Sequence, residues 1–368
     1  MKPCYIVLLS VLLAGCKPTP ALHSSGYPQR LSDWGQLEVR GQQLTVHSEA
    51  TVYDLNTPLF SDYAQKFRSV WTPPGEGIEV TADGELNLPV GSVVTKTFYY
   101  NREGDQLVHT GYEPVSGPAS EPAFGTSLDL DKVRLLETRV LVHTESGWRG
   151  LPYIWNQGQT EATLEITGGL IPLAVEGLGE FNYIVPDFNQ CQGCHVTNVA
   201  AGGMRPIGLK AKHLDKSYSY ADPGLDQLTY LSERHAISGL EGAEYIVSAR
   251  WQEPEVPLDK AARSYLDINC SHCHSRTGPA DTSAMYLTLE ETDAIHLGIC
   301  KPPVAAGQGT GGHLFGINPG HGQESILTFR LQSNDPGAMM PELGRTLVHA
   351  EGVELISNWI DKMAGDCG

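Results

Sequence analysis

Short runs in which apolar and polar residues alternate follow one another from about residue 31 to residue 180. Alternation with a period of two predicts β-strands, because successive side chains of a strand point to opposite faces. The longest runs lie at 93–100 and 133–142, and an Asp-Gly pair at 83–84 between two shorter runs predicts a hairpin. We therefore expect a sandwich-like or barrel-like β-rich domain over residues 31–180.

The C-terminal part of the chain has a different, helical pattern. Apolar residues three and four positions apart predict a helix over 352–363, with Trp359 on its apolar face. Asp259 is placed to cap a second helix over 260–269, on which Tyr265 lies.

The N-terminus has the features of an export signal. A basic start and an apolar run at 5–13, too short to cross a bilayer, predict a signal peptide over residues 1–15. The sequence LAGC at 13–16 resembles the bacterial lipobox, which implies cleavage before Cys16 and its acylation. The alternative is an ordinary secretory signal cut nearby. Residues 16–30 are rich in Pro, Ser and Gly and predict a lipidated tether.

The predicted anchor places the protein in the periplasm, and Lys17 after the cysteine favours the outer over the inner membrane. The 43 acidic and 25 basic residues give a formal net charge of −18. Such a surface repels nucleic acid and favours a partner protein with a basic contact face. We therefore expect membrane association through lipid, a redox partner protein and no nucleic acid.

The pentapeptide Cys-x-x-Cys-His occurs twice, at 191–195 and 270–274. This spacing is the attachment signal of c-type haem: two thiols bond the haem vinyl groups and the adjacent histidine becomes the proximal iron ligand. The sequence thus predicts two covalently attached haem c groups, each with its iron. The predicted attachment residues are Cys191, Cys194, His195, Cys270, Cys273 and His274.

Two cysteines, Cys300 and Cys367, remain after these assignments. In an oxidising periplasm a leftover pair most simply forms a disulfide, which would tie the C-terminus to the loop after the second motif. Two separate buried thiols are the alternative.

The second iron needs a distal ligand, and Met340, directly before Pro341, is the predicted one. A thioether is a soft ligand that suits ferrous iron and raises the reduction potential. Met339 is the main rival, and two apolar loop residues that merely cover the haem are the alternative.

The first iron has no equally clear distal ligand. Met204 is the first candidate, nine residues after His195. His213, His235 and an iron without a distal ligand stay open as alternatives.

The chain resembles a family of bacterial dihaem c-type cytochrome lipoproteins. The stretches that carry the resemblance are 53–62, 89–98, 206–208, 265–274 and 339–345. The C-terminal part also resembles class I cytochrome c, in which crossed terminal helices pack through an aromatic pair. The resemblance implies two haems, residence in the cell envelope and a contact between Tyr265 and Trp359.

The expected fold class is therefore multidomain: the β-rich domain is followed by mainly α-helical cytochrome c haem domains. We place a first haem-binding unit at 181–252 and a class I cytochrome c-like domain at 253–368. The predicted function is electron transfer in the periplasm. A peroxidase-like enzyme with an open first haem fed by the second is the alternative. In a third hypothesis the β-rich domain binds a partner or glycan through Trp71, Trp148 and Trp155.

Overall fold

A computed structural model describes residues 26–110, 127–218, 220, 225–304 and 307–368. The predicted signal peptide, Cys16 and residues 17–25 of the predicted tether lie outside these residues. Within the described ranges, no helix is long and apolar enough to cross a membrane.

The main feature of the fold is a curled nine-stranded sheet. The strands are β3 (Thr51–Tyr53), β4 (Gln65–Trp71), β7 (Val93–Glu103), β8 (Gln106–Val108), β10 (Val133–Thr144), β11 (Gly147–Trp155), β12 (Ala162–Leu164), β13 (Gly169–Glu176) and β14 (Gly179–Val185). Their hydrogen-bonded order is β12-β11-β10-β7-β8-β13-β14. β4 pairs with the same edge of β7 as β8 does, opposite β10, and β3 pairs with β4.

Three small sheets accompany the large one. The predicted Asp-Gly hairpin is confirmed, because its two strands pair antiparallel with Val80 opposite Leu86. The strands of the small sheets are β1 (Leu37–Arg40), β2 (Gln43–Val46), β5 (Glu79–Val80), β6 (Leu86–Asn87), β9 (Ser127–Asp129), β15 (Ser217–Tyr218) and β16 (Leu225–Asp226).

The two faces of the large sheet pack on different cores, as alternation along a strand requires. On β7, Val93 and Tyr99 face a cluster that contains Trp34 and Leu44 of the N-terminal segment. Val94, between them on the strand, faces the opposite side. On that side Val94 packs in one buried cluster with residues from the C-terminal half, so the second face supports the cysteine motifs.

Six α-helices lie in the described part of the chain. Their bounds are α1 (Phe188–His195), α2 (Ala211–Leu214), α3 (Gln227–His235), α4 (Leu258–Cys270), α5 (Ile326–Gln332) and α6 (Ala350–Asp361). Helices α4 and α6 pack together in one cluster that includes Tyr265 and Trp359. However, the Tyr265 ring lies beside Trp251 and His349, and Asp259 accepts a hydrogen bond from Trp359 Nε1 instead of capping α4.

The expected fold class is wrong. The chain is β-rich, with 28% of residues in strands and 22% in helices, and its sheet is a curled half-barrel. The segments after residue 186 are not mainly α-helical cytochrome domains. Glycines and prolines divide them into short helices joined by long loops, and the described residues of 271–304 and 307–325 contain only 3₁₀ turns as helical structure.

Contacts cross both predicted domain boundaries. Leu141 of β10 packs in one buried cluster with Leu209 and Ile268. The carboxylate of Asp62 accepts hydrogen bonds from the backbone N–H groups of Thr346 and Leu347 at 2.7 and 2.8 Å. The boundaries at 181 and 253 stay predictions, but the segments on either side of each are packed together.

Candidate functional site

The first motif forms most of α1. Asp187 caps this helix: its carboxylate accepts hydrogen bonds from the N–H groups of Asn189 and Gln190, and the Asp187 N–H donates to the side-chain oxygen of Gln190. This capping box starts the helix four residues before Cys191. Because residues three and four apart share a helix face, Cys191 and Cys194 project on the same side of α1.

The second motif starts on the last residue of α4. Cys270 ends the helix, and the chain continues in a turn in which the His274 N–H donates to the Cys270 carbonyl at 2.9 Å. Both thiols of this motif are free, and burial raises the pKa of Cys270 and Cys273 to about 12. They are therefore neutral thiols at ordinary pH.

The two motif histidines are held in the same way. Nδ1 of His195 lies 2.7 Å from the Arg205 carbonyl, and Nδ1 of His274 lies 3.3 Å from the Met285 carbonyl. Nδ1 then carries the proton and donates it, which leaves the Nε2 lone pair for another partner. Burial, followed by the charge of Lys96, lowers the pKa of His195 to about 3. Each ring is therefore a neutral imidazole whose Nε2 lone pair is available to another partner.

The two motifs touch each other. Cys273 Sγ lies 3.9 Å from the Gly193 carbonyl, inside the first motif. The loops that follow the motifs also pair: the Val199 N–H donates to the Thr277 carbonyl at 2.8 Å, and the Thr277 hydroxyl donates to the Thr197 carbonyl at 3.3 Å. Two segments that are far apart in the sequence thus form one site.

The predicted methionine loop lies against both motifs. Met339 is buried and Met340 is half-buried. A Cβ added at Gly193 would come within 3.2 Å of Leu343, so the loop contacts the first motif directly. The charge of Glu342 raises the pKa of Cys273 of the second motif, after the larger effect of burial.

Arg345 holds this loop in place. Its buried guanidinium donates to six oxygens, including the Met340 carbonyl at 3.0 Å and the Ser333 carbonyl at 2.8 Å. A planar guanidinium has five N–H donors in a fixed geometry, so it can donate hydrogen bonds to more oxygen atoms at once than any other side chain can.

The sequence did not single out a row of basic side chains under the first motif. Lys96 of β7 is the direct register partner of Arg68 on β4 and of Arg139 on β10. In the next row of the same face, Gly150 of β11 packs on α1, where an added Cβ would lie 3.2 Å from Cys191 Cβ. The available sequence signal was a cation at three positions on the core-facing side of predicted strands, where apolar residues are usual.

Met204 lies beside the first motif. A Cβ added at Gly150 would meet Met204 Cε at 3.0 Å, in the buried cluster that also contains Cys191. The residue after Met204 is Arg205, whose carbonyl binds Nδ1 of His195. The role of Met204 as a ligand of the first iron stays a prediction.

The two other candidate histidines have partners on both ring nitrogens. His213 lies 3.2 Å from Ser248 Oγ through Nδ1 and 3.2 Å from Asp267 through Nε2. His235 contacts Thr72 at 3.0 Å and Thr51 at 2.8 Å. Neither can bind a metal without losing a buried hydrogen bond.

The remaining predicted residues lie away from the motifs. The sulfur atoms of Cys300 and Cys367 are 2.18 Å apart, a disulfide that joins the C-terminus to the loop after the second motif. Trp71, Trp148 and Trp155 are all buried, so none offers an exposed ring for a glycan.

In the part of the chain that the structure describes, no group of three or more His, Cys, Asp or Glu side chains could hold a bare metal ion. Comparisons with protein-family models, with curated proteins and with solved structures find no match.

Proposed function

We propose that this protein is a dihaem c-type cytochrome that transfers single electrons in the cell envelope, as a member of the family that its sequence resembles. The donor set of each motif supports the proposal. Each has two free thiols and a neutral imidazole whose Nδ1 is bonded to a backbone carbonyl, with Nε2 available. Two thiols can bond the haem vinyl groups, and an imidazole with a free Nε2 lone pair can bind the iron.

The residues that would hold the two haems are the six motif side chains, with Met340 as second ligand at the second motif. Bound there, haem supplies a reversible one-electron iron couple. The protein contributes orientation: the carbonyls of Arg205 and Met285 fix the two imidazoles, and Arg345 fixes the backbone of Met340.

The contact between the motifs is the observation that carries the proposal. Transfer of single electrons between two haems needs neighbouring redox groups. Cys273 Sγ lies 3.9 Å from the Gly193 carbonyl, and the paired loops behind the motifs fix this arrangement. Both attachment sites therefore belong to one packed unit.

Haem stoichiometry tests the cofactor. The full chain should be produced in a bacterial host that attaches c-type haem, denatured, and assayed as the pyridine haemochromogen. We expect two covalent haems per chain, and one in each of the double variants C191A/C194A and C270A/C273A. The control C300A/C367A should keep both. A wild-type chain without covalent haem would refute the proposal.

A redox titration then tests electron transfer. The haem-loaded protein should take up two electrons reversibly, and mixing with a basic soluble cytochrome should exchange them rapidly. Because the chain has 43 acidic and only 25 basic residues, its net negative charge should attract a basic partner, and we expect the exchange rate to fall as ionic strength rises. A rate that does not change with salt would refute a basic contact face on the partner.

We also propose that the protein is anchored to the periplasmic face of the outer membrane through lipid on Cys16. The lipobox-like sequence at 13–16 supports this location. Labelling with a radioactive fatty acid and membrane fractionation test it: Cys16→Ser should lose the label and leave the outer-membrane fraction. A variant that keeps the label would exclude Cys16 as the lipid site.

A further inference from the structure

A third histidine, His272, lies between the two cysteines of the second motif. Its Nδ1 is buried and forms no hydrogen bond with any residue that the structure describes. A buried polar atom without a hydrogen bond costs free energy, and nearly all such atoms in proteins have a partner. Burial also favours the neutral form of an imidazole, which has a lone pair on one ring nitrogen. His272 therefore points to a ligand that the protein acquires.

The side chain of His272 borders a cavity of about 680 Å³. Met204 and Arg205 line the same cavity. Arg205 is the residue whose carbonyl binds Nδ1 of His195, and Met204 packs in one buried cluster with Cys191. His272 thus shares a cavity with the two residues that contact the first motif.

The backbone beside His272 touches the first motif. Sγ of Cys273, the next residue, lies 3.9 Å from the carbonyl of Gly193, which is two residues before His195. Consecutive Cα atoms are only about 3.8 Å apart, so His272 lies close to this contact. The hydrogen bond from the Val199 N–H to the Thr277 carbonyl holds the two segments together on the other side of the motifs. His272 is therefore near any group that is attached to the first motif.

A haem at its own motif is not an available partner for His272. The peptide between the two thiols runs along one edge of that haem, and His274 directly after it takes the proximal position. The distal position lies on the opposite face, where Met340 is the predicted ligand. A residue between the thiols can therefore bind the iron of a neighbouring haem only.

We infer that the His272 imidazole is the distal iron ligand of the haem held by the first motif. The inference rests on the proposed function, because it needs a haem at that motif. Imidazole is a common ligand of haem iron. His213 and His235, the histidines that the sequence suggested, have partners on both ring nitrogens. Ligation by His272 joins the first iron to the second haem through two adjacent residues, His272 and Cys273, which is a short covalent path for an electron.

Met204 and Lys96 are the rival ligands. Met204 is nine residues after His195, and Lys96 lies in the basic row next to the row that packs on α1. Lys96 is partly exposed, so water can solvate its ammonium and it needs no iron as a partner. A competing role for His272 itself is a hydrogen bond to a haem propionate. The substitution His272→Gln separates the two roles, because glutamine still donates a hydrogen bond but does not replace imidazole as an iron ligand.

The experiment uses the haem-loaded full chain and the variants His272→Gln, His272→Ala, Met204→Ala and Lys96→Arg. The attachment signal leaves the two positions between its cysteines free, so the His272 variants should keep both covalent haems. His321→Ala is the matched control, because it removes a histidine whose side chain is 58% exposed. Visible spectra of the reduced proteins are recorded before and after carbon monoxide. Electron paramagnetic resonance spectra are recorded for the oxidised proteins.

In the wild type we expect no carbon monoxide binding to the first haem. In both His272 variants, about half of the total haem should bind carbon monoxide, and the low-spin signal of one haem should become high-spin. Added imidazole should restore the low-spin signal. Met204→Ala, Lys96→Arg and His321→Ala should all match the wild type.

Two results would overturn the inference: a wild-type first haem that already binds carbon monoxide, or a His272→Gln protein with wild-type spectra. If Met204→Ala or Lys96→Arg opens one haem while His272→Gln does not, the rival side chain is the ligand. All of these results leave two covalent haems per chain in place. Failure of the proposed function would show instead as absent haem, so the two failures are distinguishable.

Discussion

The replacement Arg345→Lys is expected to loosen the methionine loop while leaving the charge of the protein unchanged. The Arg345 side chain is 3% exposed and donates to six different oxygens of residues 330–347. A lysine ammonium has only three donors on a flexible stem. At least three of the oxygens therefore lose their bond to this side chain.

The size of the effect follows from that count. A buried intramolecular hydrogen bond contributes about 1 kcal/mol net, so the free energy of unfolding should fall by about 3 kcal/mol. The loss is concentrated at the loop, because the Met340 carbonyl receives two of the lost or weakened bonds. In the oxidised haem-loaded protein, the absorption band of methionine-ligated ferric iron should therefore weaken or disappear as well.

Urea unfolding at neutral pH measures the first effect, and the visible spectrum of the oxidised protein measures the second. Arg40→Lys is the control, because Arg40 is an exposed residue paired with exposed Glu38, and its replacement should change neither measurement. If Arg345→Lys unfolds at the wild-type urea concentration and keeps the band, then the guanidinium does not hold the loop and this reasoning is refuted.

Three further predictions concern stability and the first motif. Burial lowers the pKa of His235 to about 4, so its contribution to stability is complete above pH 6.5, and about 3 kcal/mol is lost as pH falls to about 4. Urea unfolding at several pH values measures the loss, which should be about 3 kcal/mol smaller in His235→Ala but not absent, because His272 and His349 have similarly lowered pKa values. Opening the disulfide by Cys367→Ser should cost about 4 kcal/mol, because the bridge closes a loop of 67 residues; an unchanged melting temperature would contradict this. Gly150→Ala should crowd the first motif and reduce haem occupancy there. Gly158→Ala is the control, because its new Cβ has no neighbour nearer than 3.7 Å and haem occupancy should not change. Equal haem content in the two proteins would count against the predicted crowding.

The sequence predicted the strands of the N-terminal half well, but it did not predict the fold class. Alternation located the runs that became β7 and β10 and the Asp-Gly hairpin. The helical expectation for residues 181–368 came from resemblance and from two amphipathic stripes. Those stripes became α4 and α6, while the glycine- and proline-rich chain between them stayed mostly irregular. An amphipathic pattern predicts the secondary structure of the residues that carry it, and it does not predict the structure of the loops between two such patterns.

The sequence also defines some candidate ligands better than others. The motif cysteines and histidines are defined by a spacing of three and four residues, which any helical turn brings to one side. The roles of Met204, His213 and His235 could not be judged from the sequence, because they depend on partners far away in the chain. Ser248 and Asp267, for example, occupy the two nitrogens of His213.

By itself the sequence determined the two Cys-x-x-Cys-His spacings, since each lies within one short stretch of chain. Tertiary structure alone decided that the two segments touch, that Arg345 binds the methionine loop, and that the row of Arg68, Lys96 and Arg139 lies next to the row that packs on α1. Lys96 and Cys191 are far apart in the sequence. Their arrangement arises from strand register and from the packing of α1 on Gly150, and both are set by burial across the whole sheet face.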